Sequence, residues 1–369
     1  MLRVVHVLTD SNIGGAGHIL LALLNREKGL SRSEFDITVL LPKNAALLPA
    51  LTEQGIKCIK LPYLAEKSFS LKAVGVLLKQ FKKIKPNIVH THAALSGRVA
   101  AKLYGKCKIV HTRHSVFEPT ARQQRFPFKQ MLGFINNFFS HAIIAVSPAA
   151  ADNLIKLGTR KSKIFTIYNG TPPAKLPPKT EKDVLHKQYN IPQGTFVLLQ
   201  LARLTKVKGQ EDVLDVAKLL PNTLFLIAGE GDLRPILEER IKKEGINNVR
   251  LLGFVTEVDE LLAISDAQIS ASFGTEATSL SLIQGMSVGV PAIVSDYGGN
   301  PYVIESGKNG LVFEARNVNA FAECIKTLQN SPTLYNDLAN NAMQIYKEKF
   351  TLEKMASDTD SLYRKVLTK

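Results

Sequence analysis

Two successive runs of short β-rich segments, each alternating with helix-patterned stretches, constrain this chain more than any other feature. In the first run residues 4–8, 35–41, 57–61, 88–92, 108–112 and 142–147 read as strands, with helical spacing over 18–25, 45–54, 71–84 and 96–104. Near-continuous apolar strands separated by helices need crossover connections, so they predict a parallel, doubly wound sheet. Pro172-Pro173-Ala174-Lys175-Leu176-Pro177-Pro178 then interrupts the pattern, because proline continues neither a helix nor a central strand. The alternation restarts with strands at 196–201, 224–228, 249–252, 268–271 and 292–294. At 369 residues there is chain enough for two such domains. The expected fold is therefore α/β, two Rossmann-like doubly wound parallel-sheet domains facing across a cleft. The expected boundaries are 1–171, a linker at 172–190, a second domain over 191–350, and a closing helical segment at 351–369.

The formal charge is +15, from 47 Lys and Arg against 32 Asp and Glu, and such a field favours anionic partners. Cys58, Cys107 and Cys324 are odd in number and lack metal-ligand spacing, which predicts reduced thiols in a reducing compartment. Asp10 and the glycines after it break any signal-peptide plan, and no apolar run reaches membrane-spanning length. A cytoplasmic protein is expected, peripheral at most on the inner face of the plasma membrane. The turn Gly14-Gly15-Ala16-Gly17 follows the first strand, placing backbone amides at the sheet's carboxyl edge. It lacks the dinucleotide spacing, since the sixth position from Gly15 is Leu20, and this disfavours hydride transfer.

The richest stretch is Ser270 to Met286, a strand end feeding a loop and then a helix start. Unpaired first-turn amides there, with Thr278 or Ser279 as cap, suit a phosphate, and Glu276 and Gln284 flank the turn. The stretch resembles the acidic signature of the retaining family 4 glycosyltransferases, in which two carboxylates stand eight positions apart. Here the first is Glu276 and the second is replaced by Gln284, while Gly289-Val290-Pro291 and Gly298-Gly299-Asn300-Pro301 continue the family's run. Arg203 and Lys208, directly after the strand at 196–201, are similar to the family's arginine, lysine and glycine, and cations at that edge would neutralise a diphosphate.

The resemblance implies the GT-B architecture, with the acceptor on the first domain, the nucleotide-sugar on the second, and the terminal helix packed back on the first. It implies retaining transfer of a hexosyl or N-acetylhexosaminyl group from a nucleoside diphosphate sugar, UDP before GDP, without metal or cofactor. The acceptor would be a cell-surface glycan, a glycolipid or an anionic polymer. By the same resemblance Gly229 borders the nucleotide, backbone groups at Phe254 and Val255 read the base, and the Ser279 and Leu280 amides take phosphate. Glu276 bonds the transferred sugar and Gln284 the ribose. Lacking charge, Gln284 should bind more weakly than a carboxylate, and Gln284→Glu should tighten nucleotide binding. Gly14, Gly15, Ala16 and His114 would complete the site from the first half. His90 and His92 alternate at a strand end, but no third residue has metal-ligand spacing. Residues 113–139 interleave Arg113, Arg122, Arg125 and Lys129 with phenylalanines, which fits either an anionic membrane surface or a core helix with a solvated back. Two other classes stay open on the residues alone: a nucleotide-sugar epimerase of the same architecture, and a basic protein binding nucleic acid or membranes. The ordered edge motifs speak against nucleic acid.

Overall fold

The computed structural model describes residues 1–12, 14–65, 67–117 and 119–368, with the backbone alone at 179–182. Contacts divide the chain into two units, Met1–Thr171 with Phe350–Lys369, and Pro172–Lys349.

The first unit runs β1 (Leu2–Leu8), α1 (Gly15–Leu23), β2 (Phe35–Pro42), α2 (Leu48–Glu53), β3 (Lys57–Leu61), α3 (Leu71–Ile84), β4 (Ile88–His92) and α4 (Leu95–Tyr104). It continues with β5 (Lys108–Arg113), α5 (Phe128–Phe138), β6 (Ala142–Ala145), α6 (Pro148–Lys156) and β7 (Ile164–Thr166). The strands pair in parallel in the order β3-β2-β1-β4-β5-β6-β7, so the winding reverses between β1 and β4, where His6 lies beside His90 and Leu8 beside His92. The helices behave as their spacing dictates. On α3, Ala73, Val74, Leu77 and Phe81 face the core, the Ser70 hydroxyl accepts the Ala73 N–H, and Lys85 in the left-handed region ends the helix. The strand expected over 142–147 stops at Ala145, because the Ser147 hydroxyl instead caps α6 by accepting the Ala150 N–H.

The second unit runs α7 (Lys179–Gln188), β8 (Phe196–Leu201), α8 (Gln210–Leu219), β9 (Thr223–Ala228), α9 (Arg234–Glu244), β10 (Val249–Gly253), α10 (Val258–Ile264) and β11 (Ala267–Ser270). It ends with α11 (Leu280–Met286), β12 (Ala292–Ser295), α12 (Asn300–Val303), β13 (Gly310–Phe313), α13 (Val318–Gln329) and α14 (Pro332–Lys349). Its parallel order is β10-β9-β8-β11-β12-β13, reversing between β8 and β11. Residues 172–190, expected as a linker, belong to this unit. They carry α7, Leu185 is buried with Ile191 in the core, and Ala174 and Tyr189 pack against the same cluster. The prolines stop the first sheet without freeing the chain, because the apolar residues after them have a core to join.

The last helix, α15 (Leu352–Leu367), packs with the first unit. Its Thr351 cap accepts the Lys354 N–H, the buried Tyr363 meets Phe35 edge-on, and Glu353 pairs with Lys28 at 2.9 Å. Lys369, the end of the expected terminal segment, lies outside the described residues.

Candidate active site

In the second unit the carboxyl ends of β8 and β11 flank the point where the winding reverses, the place where open parallel sheets collect ligands. The loop leaving β8 is pressed onto the chain leaving β11. Gly209 has φ +70°, and a Cβ there would lie 2.1 Å from the Ala271 carbonyl oxygen, so only glycine permits the approach. The Phe273 N–H donates to the Val207 carbonyl at 3.0 Å, and the Ser281 hydroxyl donates to the Leu201 carbonyl at 3.2 Å. These bonds bring the loop bearing Arg203 and Lys208, the loop bearing Glu276 and the start of α11 to one rim.

Glu276 is fixed from two sides. Its carboxylate accepts from the Lys208 ammonium at 2.5 Å and from the Ser272 hydroxyl at 3.2 Å, and the residue is only 7% exposed. Its carbonyl oxygen accepts the Gly299 N–H at 2.9 Å, against Gly298 at φ +62°. A buried carboxylate survives only when paired and hydrogen-bonded in this way. Arg203 is exposed and enters no ion pair among the described residues, while its carbonyl oxygen accepts from Gln210. Among the described residues, Lys208 is thus committed to Glu276 while Arg203 enters no ion pair.

The remaining residues expected from the sequence lie around this rim. The Gly229 N–H donates to the Gly253 carbonyl at 2.7 Å, tying the ends of β9 and β10 together, and Phe254 is 78% exposed just beyond. Val255 packs partly against the core. Ser279 occupies the N-cap position of α11, but its hydroxyl pairs with that of Ser281 at 3.1 Å and makes no capping bond. Of the two caps expected from the sequence, Thr278 or Ser279, Ser279 holds the N-cap position without a capping bond. Leu280 opens α11, which is seven residues long. Gln284 does not stand alone. Its Nε2 donates to Asp259 Oδ1 at 3.1 Å, and Asp259 Oδ2 accepts the Lys175 N–H at 2.9 Å. Sequence reasoning missed Asp259, because nothing in its spacing ties the second residue of α10 to a position on α11.

In the first unit, the glycine turn expected at Gly14 to Gly17 is instead the start of α1. Gly14 is its extended N-cap residue and Gly15 and Ala16 lie in its first turn, with the His18 N–H donating to the Gly14 carbonyl at 3.0 Å. The glycines are compatible with helix once the strand before them has ended. His114 follows β5 and begins a chain of imidazoles: its Nε2 lies 2.9 Å from His92 Nδ1, and His92 Nε2 lies 3.1 Å from His6 Nδ1. His90 is held between the Tyr363 hydroxyl and the Thr112 hydroxyl, each at 2.6 Å. Burial lowers the pKa of His114 to about 4 and that of His6 to about 3, and it holds His90, His92 and His111 well below 6.5. All five are neutral at pH 7.

The third histidine that spacing failed to supply is His6, which β1 places beside His90 and His92. One ring nitrogen from each of His6, His90 and His92 lies within 4.8 Å of the others, correcting the expectation that no third residue joins the pair. Ring centroids lie 4.6 to 5.4 Å apart with His92 within 24° of parallel to both others, and both His90 nitrogens are occupied.

Residues 113–139 combine exposed and half-buried side chains. Among the described residues of α5 only Gly133 is buried, while Phe126, Met131, Phe134 and Phe138 are exposed by 80, 51, 59 and 46%. Arg122 sits over Phe128 at 4.3 Å and Lys102 over Phe138 at 4.5 Å. One face packs closely, with Gly133 against the Gly158 backbone and Leu132 and Ile135 half-buried, while Phe126, Met131, Phe134 and Phe138 stay in solvent. Glu118 lies outside the described residues.

Comparison with known proteins places both sheets. HepE of Anabaena, solved in complex with UDP, superposes over 99% of this chain and all of its own with a TM-score of 0.86 at 20% identity, which defines the fold as GT-B. Residues 13–175 match the model described as Glycosyltransferase Family 4, and residues 181–345 match Glycosyl transferases group 1. The chain belongs to the family 4, group 1 glycosyltransferases, and it is an enzyme of that type. It is 26% identical to the UDP-Gal:alpha-D-GlcNAc-diphosphoundecaprenol alpha-1,3-galactosyltransferase of Escherichia coli, across 98% of this chain and 96% of the relative. It is also 26% identical to the alpha-monoglucosyldiacylglycerol synthase of Acholeplasma laidlawii, across 95% and 94%. Among the described residues no helix is long and apolar enough to cross a membrane.

Proposed function

We propose that the protein transfers a hexosyl group, with retention at the anomeric carbon, from a UDP-sugar to a lipid-linked glycan or glycolipid at an anionic membrane surface. The observation carrying this reading is the rim at β8 and β11, where a buried carboxylate is held by its lysine and a neighbouring hydroxyl, on loops that also carry Arg203. The relatives' names supply the rest: one acts with UDP-Gal on a diphosphoundecaprenol-linked sugar, the other makes a glucosyl diacylglycerol.

In this reading Arg203 and Lys208 neutralise the diphosphate as the glycosidic bond breaks, the task a divalent cation performs in other transferases. The Ser279 and Leu280 amides and Thr278 add hydrogen bonds to phosphate, and Gly229, Phe254 and Val255 border the nucleotide. Glu276, fixed by Lys208 and Ser272, accepts from hydroxyls of the transferred sugar. In the first unit His114, neutral at pH 7, is a hydroxyl partner and no source of charge. Gly14, Gly15 and Ala16 contribute helix-start amides there. A thermal-shift panel of UDP, GDP and their sugars tests the donor. At a hundredfold excess over Kd, UDP should stabilise the second unit by about 2.7 kcal/mol. NMR of the product then reads the anomeric configuration. Absence of any nucleotide shift, or an inverted product, overturns the reading.

The membrane surface rests on α5 and the residues before it. Exposed Phe126 and Phe134 stand with Arg122, Arg125 and Lys129, so apolar burial and attraction to anionic headgroups act together. Cosedimentation with phosphatidylglycerol vesicles should fall at least about tenfold for the double variant Phe126→Ser, Phe134→Ser, since each buried phenylalanine is worth about 1.5–3 kcal/mol. Equal binding by the wild type and the double variant would remove the membrane from the proposal.

A further inference from the structure

Family 4 transferases of the resembled pattern carry a carboxylate where this chain has Gln284, and here the Gln284 amide is bonded to a carboxylate from another element. We infer that Asp259 is the carboxylate of the ribose-binding site, acting as a positioning residue that orients the Gln284 amide toward the ribose hydroxyls of the donor. The inference rests on the nucleotide reading above and adds to it a residue from a different element.

The argument is one of donors and acceptors. An ionised carboxylate only accepts hydrogen bonds, so the group facing Asp259 Oδ1 at 3.1 Å must be the Gln284 nitrogen. That fixes an amide that would otherwise flip freely, and it leaves Gln284 Oε1 and one N–H turned away from Asp259. A ribose cis-diol, which both donates and accepts, meets just such a pair. The bond from nitrogen to carboxylate is charge-assisted, and it polarises the amide so that Oε1 becomes a stronger acceptor. Asp259 is itself held, because its second oxygen accepts the Lys175 N–H at 2.9 Å. The negative charge lost from α11 has therefore been moved one hydrogen bond away, onto the first turn of α10.

This changes what Gln284→Glu should do. Judged from the sequence alone it should tighten binding, but beside Asp259 it sets two carboxylates within contact distance, where one must take up a proton or turn aside.

The test is titration calorimetry of the full chain with UDP and with 2′-deoxy-UDP. The wild type should prefer UDP. Asp259→Ala should cut that preference by about tenfold, the effect of one charge-assisted hydrogen bond, with little change in 2′-deoxy-UDP binding. Gln284→Glu alone should give no gain, whereas in the Asp259→Ala background it should restore both UDP affinity and the preference. A purely structural role for Asp259, through its bond to Lys175, would weaken both ligands equally and would not be rescued by Gln284→Glu. That pattern, or a ribose preference surviving Asp259→Ala, overturns the inference and leaves the donor reading standing. A wild-type chain that binds no UDP removes the donor reading itself.

Discussion

Between pH 6.5 and pH 4 the first unit is expected to unfold while the second persists. His6, His90, His92, His111 and His114 all have folded-state pKa values depressed by burial below the ordinary 6.5, His114 to about 4 and His6 to about 3. The unfolded chain therefore takes up protons first. The stabilisation is complete above about pH 6.5 and is lost as the pH falls toward the folded values, at about 1.4 kcal/mol per pH unit for each histidine kept neutral. Even two of the five acting fully would remove about 3 kcal/mol per unit, a large share of a domain's 5–15 kcal/mol. The neighbouring charges oppose relief: Arg98 and Arg113 further disfavour a charged His111, and the buried Tyr363 hydroxyl on His90 has its pKa raised well above 10. Calorimetry from pH 7 to pH 5 should show one transition falling by about 10 °C or more. Hydrogen exchange should place that transition in β1, β4 and β5. Opening of β8 and β11 at the same pH, or a first unit indifferent to pH, would refute the assignment.

Replacing Lys208 should cut turnover sharply and cost stability at once, and the two effects can be separated. Lys208→Met leaves the Glu276 carboxylate, 7% exposed, with only the Ser272 hydroxyl of its two side-chain donors. Breaking a buried pair from one side costs about 3–5 kcal/mol because the remaining charge is stranded. Glu276→Gln should be milder, since the lysine's longer chain can carry its ammonium to water. The double variant should recover much of the loss seen in Lys208→Met, since neither charge is then buried alone. Turnover should fall by about a hundredfold to a thousandfold in Lys208→Met, as for loss of one preorganised group that stabilises transition-state charge, and should not return in the double variant. Urea denaturation followed on the second unit gives the first quantity, and kcat with a UDP-sugar gives the second. A Lys208→Met enzyme with wild-type turnover would take the lysine out of the chemistry.

Much of the fold was legible because buried parallel strands and one-faced helices write their periods directly into the chain. β3, α3, β4 and β8 fall at the residues expected, since each is a continuous apolar run or a clean helical stripe closed by a turn or cap signal. β7 and β13, of three and four residues, carry too few positions for a pattern and were not expected. Glu276, Arg203 and Lys208 were singled out because each lies in the loop that follows a strand end, and that placement the structure reproduces. The Gly14 to Gly17 segment was misjudged because glycine permits a turn without requiring one.

The amino-acid order by itself determined the two doubly wound sheets and the family, since both show in patterns within one strand, loop or helix. Only the tertiary structure decided which distant side chains share a bond. His6 meets His92 across 86 positions, Tyr363 reaches His90 across 273, and Gln284 finds Asp259 across 25. Local periodicity says which face a residue takes. The register between separate elements, set by packing of the whole core, says which residue stands opposite.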